Sequence, residues 1–191
     1  DLKKRLPEFE FIGKGRNATG SGERCSIAFN RKHFKAKDKG DFWLSDTPDK
    51  VGSNTWGDKY PRKVTWAILE ARKSKKILLV LNTHFPEGKR DTLREKGADV
   101  MVRWLTERTG ASKKKKRRKP VAILVCGDFN SDAGTPPQKA FTAETGLAMR
   151  DAWLETPPDP FDPRPGTYNG FRGLKTQQRI DWLLVGGPIR V

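Results

Sequence analysis

Three short stretches of this sequence set polar side chains directly beside apolar runs. Val80-Leu81-Asn82-Thr83-His84 puts a histidine just past one run, and Val125-Cys126-Gly127-Asp128-Phe129-Asn130 puts a carboxylate and a carboxamide just past another. Arg179-Ile180-Asp181 opens a third run with a second carboxylate. An imidazole, two carboxylates and an amide gathered together can hold or move protons and donate hydrogen bonds. Singly, each has an ordinary reading: Asp-x-Asn is a common turn element, and a lone histidine is more often structural. Their joint placement is the signal, because sheets in layered α/β folds present strand ends to one rim.

The elements that must position them follow from hydrophobic period. Phe9 and Phe11 alternate with Glu8 and Glu10, and Cys25, Ile27 and Phe29 alternate with Ser26 and Ala28. His33-Phe34 begins a further short extended piece. Val64, Trp66 and Ile68 share one face of a strand that Ala71–Lys76 turns back into Ile77–Leu81, a β-hairpin. Residues 45–62 have no period and are rich in Asp, Gly, Pro and Ser, so they read as a long surface loop. Trp56 is that loop's candidate for stacking on a substrate.

The second half alternates element types. Leu93, Val100, Met101 and Trp104 recur at helical spacing within Thr92–Leu105, and Thr109-Gly110 is a stop signal. Val121–Cys126 is almost purely apolar and reads as a strand buried on both faces. Pro136-Pro137 opens a short helix expected through Glu144, with Gly146 as its C-terminal cap. A proline-rich loop over 157–166 and a last apolar strand, Ile180–Val185, complete the chain. Hairpins plus helices on a sheet predict an α/β sandwich with mixed strands, a single domain over 1–191.

Composition narrows the class. Lys and Arg number 39 against 23 Asp and Glu, a formal net charge of +16. Such an excess favours a phosphate-bearing or polyanionic partner. Lys113–Lys119 is an unbroken basic block, read either as a solvated loop or as a nucleic-acid contact or import signal. No apolar stretch is long enough to span a bilayer and no signal-type run opens the sequence, so compartment stays open. Two cysteines, Cys25 and Cys126, do not make a disulfide scaffold, although a bond between them stays possible. Asn17-Ala18-Thr19 fits a glycosylation sequon, which matters only for a secreted protein.

Five stretches resemble the endonuclease/exonuclease/phosphatase superfamily, the DNase I-like fold of metal-dependent phosphoesterases. They are Gly15-Arg16-Asn17 with Gly22-Glu23, Pro61-Arg62 before Thr65-Trp66-Ala67, Asn82-Thr83-His84, Gly127-Asp128-Phe129-Asn130, and Thr167 ahead of Arg179-Ile180-Asp181. Their order is the family's order, and Leu147–Trp153 is similar to the family's next segment. The resemblance implies a two-layered mixed β-sandwich flanked by helices, a four-layer α/β/β/α arrangement. It also implies phosphoester hydrolysis by an activated water attacking phosphorus in line, as in phosphodiesterases and nucleases. By carry-over Asp128 orients or deprotonates the water and Asn130 donates to the phosphoryl group. His84 contacts the phosphate with Glu23 orienting it, and Asp181 orients a histidine. Arg62, and with it Arg16 and Asn17, are the implied substrate contacts.

The sequence also departs from the family's pattern. The Gln-Glu element expected near the start and the Ser-Asp-His element expected near the end are not in it. The expectation is therefore a domain incomplete at both termini, lacking its first and last strands. Mg2+ or Mn2+ is expected for the complete domain, with the Glu and Asp ligands outside this chain and metal binding weak or absent here. The partner is expected to be a phosphate-bearing substrate, nucleic acid among the candidates, for a monomer. The other readings are a catalytically inactive basic phosphate- or nucleic-acid-binding module and, within the family, a phosphomonoesterase.

Overall fold

The computed structural model describes residues 2–110, 121–144, 147–156, 166–173 and 178–191. Alternation near the start makes a two-stranded ribbon. After the short helix α1 (Leu2–Arg5), β1 (Phe9–Ile12) pairs antiparallel with β2 (Ile27–Asn30), Phe11 opposite Ala28. A meander follows: β3 (Phe34–Trp43), β4 (Lys63–Ala71) and β5 (Ile77–His84), each antiparallel to the last. The expected hairpin is its second half. β3 runs far beyond the short piece expected at His33-Phe34. Its Lys- and Asp-rich segment has little strand propensity of its own. Pairing with β4 recruits it, with a register shift between Ala36 and Asp38.

Helix α2 (Asp91–Thr109) then returns the chain to β6 (Ala122–Asp128), which lies parallel to β5. The helix outlasts the expected Leu105 by a turn and stops at Gly110, whose φ of 70° lets its N–H bond Thr106 O. Helix α3 (Pro136–Thr142) is shorter than expected: Ala143 turns extended before Glu144 is reached. Gly146, the basic block Lys113–Lys119 and most of the proline-rich loop lie outside the described residues. β7 (Arg150–Asp151), helix α4 (Ala152–Glu155) and β8 (Asp181–Gly186) complete the elements. The large sheet has the order β3-β4-β5-β6-β8-β7.

Each face of that sheet has its own core. On one side Leu79, Leu81, Ile123, Val125 and Leu184 pack with Met101 and Leu105 of α2 and Phe141 of α3. On the other, Ala67, Leu69 and Val80 meet Ile12, Ile27 and Phe29 of the ribbon. The layers are thus helices, a six-stranded mixed sheet and a two-stranded sheet among the described residues. β6 is not buried on both faces as its apolar run predicts. Ile123 and Val125 are buried, but Leu124 and Cys126 are half-covered, because the ribbon sits over β4 and β5. No described helix is long and apolar enough to cross a membrane.

A row of aromatic side chains fixes the polar strand ends. His84, Asp128 and Asp181 are each followed by a buried ring: Phe85, Phe129 and Trp182. Alternation sends the polar member to one face and its neighbour into the helix-side core. Phe129 stacks on Trp182 at 4.2 Å between ring centroids and meets Phe85 edge-on at 4.9 Å. Burying each ring is worth about 1.5–3 kcal/mol, so the rim is anchored from beneath.

Gly127 completes this arrangement. Its φ is 147°, and a Cβ there would lie 2.1 Å from Thr83 O on the neighbouring strand. Gly127→Ala is expected to cost about 3 kcal/mol or more in urea unfolding. Gly134→Ala, at φ 81° in open space, is expected to cost about 1 kcal/mol. Equal losses at the two positions would remove close strand approach as the cause.

Candidate active site

Strand register alone sets three polar groups side by side. His84 is the Cα partner of Asp128 across β5–β6, and Asp128 is the partner of Asp181 across β6–β8. Cross-strand partners share a face, so all three side chains leave the sheet on the side away from α2. His84 Nε2 lies 3.6 Å from Asp128 Oδ2, and its Nδ1 lies 2.9 Å from Glu23 Oε1. A carboxylate on Nδ1 fixes the tautomer and leaves Nε2 facing the row.

Glu23 reaches His84 from the loop between β1 and β2. Backbone bonds Gly15 N to Gly20 O and Arg16 N to Glu23 O close that loop on itself. Two side chains of the large sheet then clamp it: Trp43 Nε1 donates to Arg16 O at 2.8 Å, and Lys63 Nζ to Lys14 O at 2.9 Å. Arg16 pairs with the second oxygen of Glu23 and lies 4.2 Å over the Tyr60 ring. Arg16, Glu23, His84 and Asp128 thus form one continuous line of polar contacts.

Asp128 is the carboxylate of the row whose titration its surroundings shift. Partial burial pushes its carboxyl above the usual range, and the charge of Asp181 adds to that. The Asn130 N–H, His84 and Arg62 oppose it. Asn130 adopts φ 47°, its N–H turned back onto Asp128 Oδ1 at 2.8 Å and its Nδ2 donating to Phe85 O at 3.0 Å. The ordinary turn reading of Asp-x-Asn is therefore realised, and the amide keeps its oxygen and one N–H. Thr167 Oγ1 accepts from the backbone N–H groups of Ile180 and Asp181, which holds the start of β8.

Arg62 is buried at 3% exposure. Its Nε donates to Asp58 Oδ2 at 3.1 Å, while one terminal nitrogen has no hydrogen-bond partner among the described residues. A buried guanidinium N–H left without a partner costs on the order of 1–3 kcal/mol unless an acceptor arrives. Asn17 does not reach the row: its side chain closes the tight turn through Ser21 Oγ at 3.1 Å. Trp56 lies on the helix side, bonded to Asp46 and facing Lys96, well removed from the polar row.

Sequence reading missed the supporting residues. Lys63, 1% exposed, ion-pairs with Asp41 and pins the loop. The hairpin register, continued one step past Val64↔Thr83, puts it beside His84, so that signal was present. Arg179 and Asp151 form a buried bidentate pair joined by Gln138 Nε2 at 2.7 Å. Nothing in the local sequence marks that pair. Cys25 and Cys126 are free, their thiols pushed by burial up to about 12 and about 11.

Among the described residues, no group of three or more His, Cys, Asp or Glu could hold a metal ion. Asp128 is engaged by Asn130, and Glu23 by Arg16 and His84. The described residues by themselves do not fit a divalent cation.

No family model matches this sequence, and the curated proteins contain no significant match. Solved structures do match. An endonuclease/exonuclease/phosphatase family protein from Bacteroides thetaiotaomicron is 28% identical with a TM-score of 0.80, over 97% of this chain and 64% of that one. A mannosyl-6-phosphatase from the same organism is also 28% identical at TM-score 0.80, over 97% and 66%. The human Nocturnin catalytic domain shares the fold at 17% identity and TM-score 0.68, over 97% and 63%. This chain spans about two thirds of the length of these structures.

The raised Asp128 carboxyl carries a stability sign. The folded chain binds that proton more tightly than the unfolded one, so ionised Asp128 destabilises the fold as pH rises from about 3.8 through the folded value. Asp128→Asn is expected to unfold at higher urea than the wild type at pH 7, with the gain shrinking as pH falls through the raised folded value and gone below about 3.8. Lower stability of the variant at pH 7 would show that the charge is fully compensated.

Proposed function

We propose that this chain, which belongs to the endonuclease/exonuclease/phosphatase superfamily, supplies the phosphate-binding and water-activating part of a phosphoester hydrolase. The observation that carries this reading is the row His84–Asp128–Asp181, with Glu23 on the imidazole and a buried, partly unpartnered Arg62 nearby. Asp128 takes a proton from the attacking water, and its raised carboxyl moves it toward the range where a base works best. The water oxygen attacks phosphorus in line with the leaving oxygen, whose bond to phosphorus breaks as the new one forms. The leaving oxygen keeps that electron pair and takes a proton from solvent. Asn130 donates its remaining N–H to the phosphoryl group, and His84 contacts a phosphate oxygen through Nε2 while Glu23 holds its ring. Arg62 and Arg16 bind the non-bridging oxygens, with Asn17 lining the same loop. Asp181 would orient a histidine from beyond the described residues.

A Mg2+ or Mn2+ ion would stabilise charge on the phosphoryl oxygens. Its ligands would have to come from beyond the described residues, and no step above runs through it. The substrate class is a phosphodiester or monoester, nucleic acid included. A second reading, a phosphate- or nucleic-acid-binding module without turnover, rests on the formal net charge of +16.

Hydrolysis of bis(p-nitrophenyl) phosphate and of plasmid DNA with magnesium or manganese separates the two. The 191-residue chain is expected to match the uncatalysed background. A longer polypeptide extended at both ends is expected to turn over, and Asp128→Asn within it to lower kcat by about 10²–10⁴-fold. Strong chelator-sensitive activity in the 191-residue chain would overturn the incomplete-site reading. Background activity in the longer one would favour the binding module.

A further inference from the structure

Three turns meet at the pole of the large sheet opposite the polar row. The β2–β3 turn and the β4–β5 hairpin are joined there, with Arg72 N donating to His33 O at 2.8 Å and Arg72 Nε to Arg31 O at 2.7 Å. Arg31 in turn bonds the Pro7 carbonyl, which brings the end of α1 alongside. Seven strand steps separate Ile77 at this pole from His84 at the rim, about 23 Å at ~3.3 Å per residue.

The pole is strongly and openly cationic. Between the ribbon and β3 lies a groove of 470 Å³ with Arg31, Lys35, Lys37, Lys39 and Arg72 along it and Phe29 and Phe34 in its wall. Lys37 and Lys39 are offset by Glu70 and Glu10, and Asp38 by Arg108. Arg31 and Arg72 bond only carbonyl oxygens among the described residues, so no carboxylate there cancels their charge. Lys32, Lys35, Lys73, Lys75 and Lys76 are exposed and form no ion pair among the described residues. The hairpin even holds Lys75 at φ 57°, where Gly or Asn would sit more easily, and so keeps a charge at its tip.

From this we infer that the pole is a second, non-catalytic binding face for single-stranded nucleic acid, separate from the hydrolytic rim. A concave cationic groove admits a flexible phosphate chain, whereas a flat membrane would touch only its edges. Among the described residues, no large exposed apolar side chain, which would anchor a lipid surface, lines it. The inference stands whether or not the polar row hydrolyses anything.

Fluorescence anisotropy of labelled oligo(dT) twenty nucleotides long, titrated with the 191-residue chain from 50 to 200 mM salt, tests this. The variant Lys35→Gln/Lys73→Gln/Lys75→Asn/Lys76→Gln changes exposed groups only, and Asn suits the left-handed position. It is expected to lose about tenfold or more in affinity and to lower the salt slope by about three units, at ~0.7 for each phosphate that is no longer neutralised. The same loss is expected when the four changes are made on top of Arg16→Gln/Arg62→Gln at the rim, because the pole binds independently of it. An unaltered affinity and slope in the lysine variant would overturn the inference. So would a weakening that follows only the rim variant or only a Gln-substituted Lys113–Lys119 block. Binding to anionic phosphatidylserine vesicles without binding to oligo(dT) would overturn it as well.

Discussion

The arrangement depends on three aromatic rings joined through Phe129. Beneath the ends of β5, β6 and β8, Phe129 stacks on Trp182 and takes Phe85 edge-on. Each sits one residue beyond a polar group, so their packing fixes where His84, Asp128 and Asp181 emerge. The rings fill the helix-side core, and the polar groups ride above them. Chemistry and folding energy are thereby carried by alternate residues of the same short segments. Rotating any one strand end would separate the rings before it freed the polar side chain.

The loop bearing Glu23 is held by a different device. Gly20 and Gly22 adopt positive φ and let the loop fold tightly, while Trp43 and Lys63 reach up from β3 and β4 to bind its carbonyl oxygens. A buried lysine is costly unless paired, and Asp41 supplies that pairing. Arg62 lies close by with a nitrogen left unsatisfied among the described residues. Positive charge therefore underlies one side of the row, and carboxylates crowd the other. An anion is favoured on the positive side alone.

Most of this was legible in particular residues. His84 and Asp128 were readable because apolar runs end at them, Asp181 because one begins there, and α2 because its spacing and Gly110 agree. β3 was not, since Lys35–Asp41 is polar and owes its strand form to β4. Arg62 and Lys63 are polar residues with almost no exposure, and sequence pattern does not register such burial. The Arg179–Asp151 pair joins positions far apart in the chain, a contact that only the fold creates. The two-face burial expected of β6 failed because an apolar run reports what a strand could bury, whatever partner lies over it.

Strand β3 is also an edge of the six-stranded sheet. Open edges invite a second chain to add on, the first step toward sheet-to-sheet aggregation. Here the backbone register breaks between Ala36 and Asp38, and Lys35, Lys37 and Lys39 stand exposed along the strand. Two copies aligned along this edge would oppose like charges across a ladder that cannot run straight. Among the described residues the opposite edge, β7, offers two residues for pairing. Self-association by strand addition is thus disfavoured at both ends of the large sheet, by charge and distortion at one and by brevity at the other.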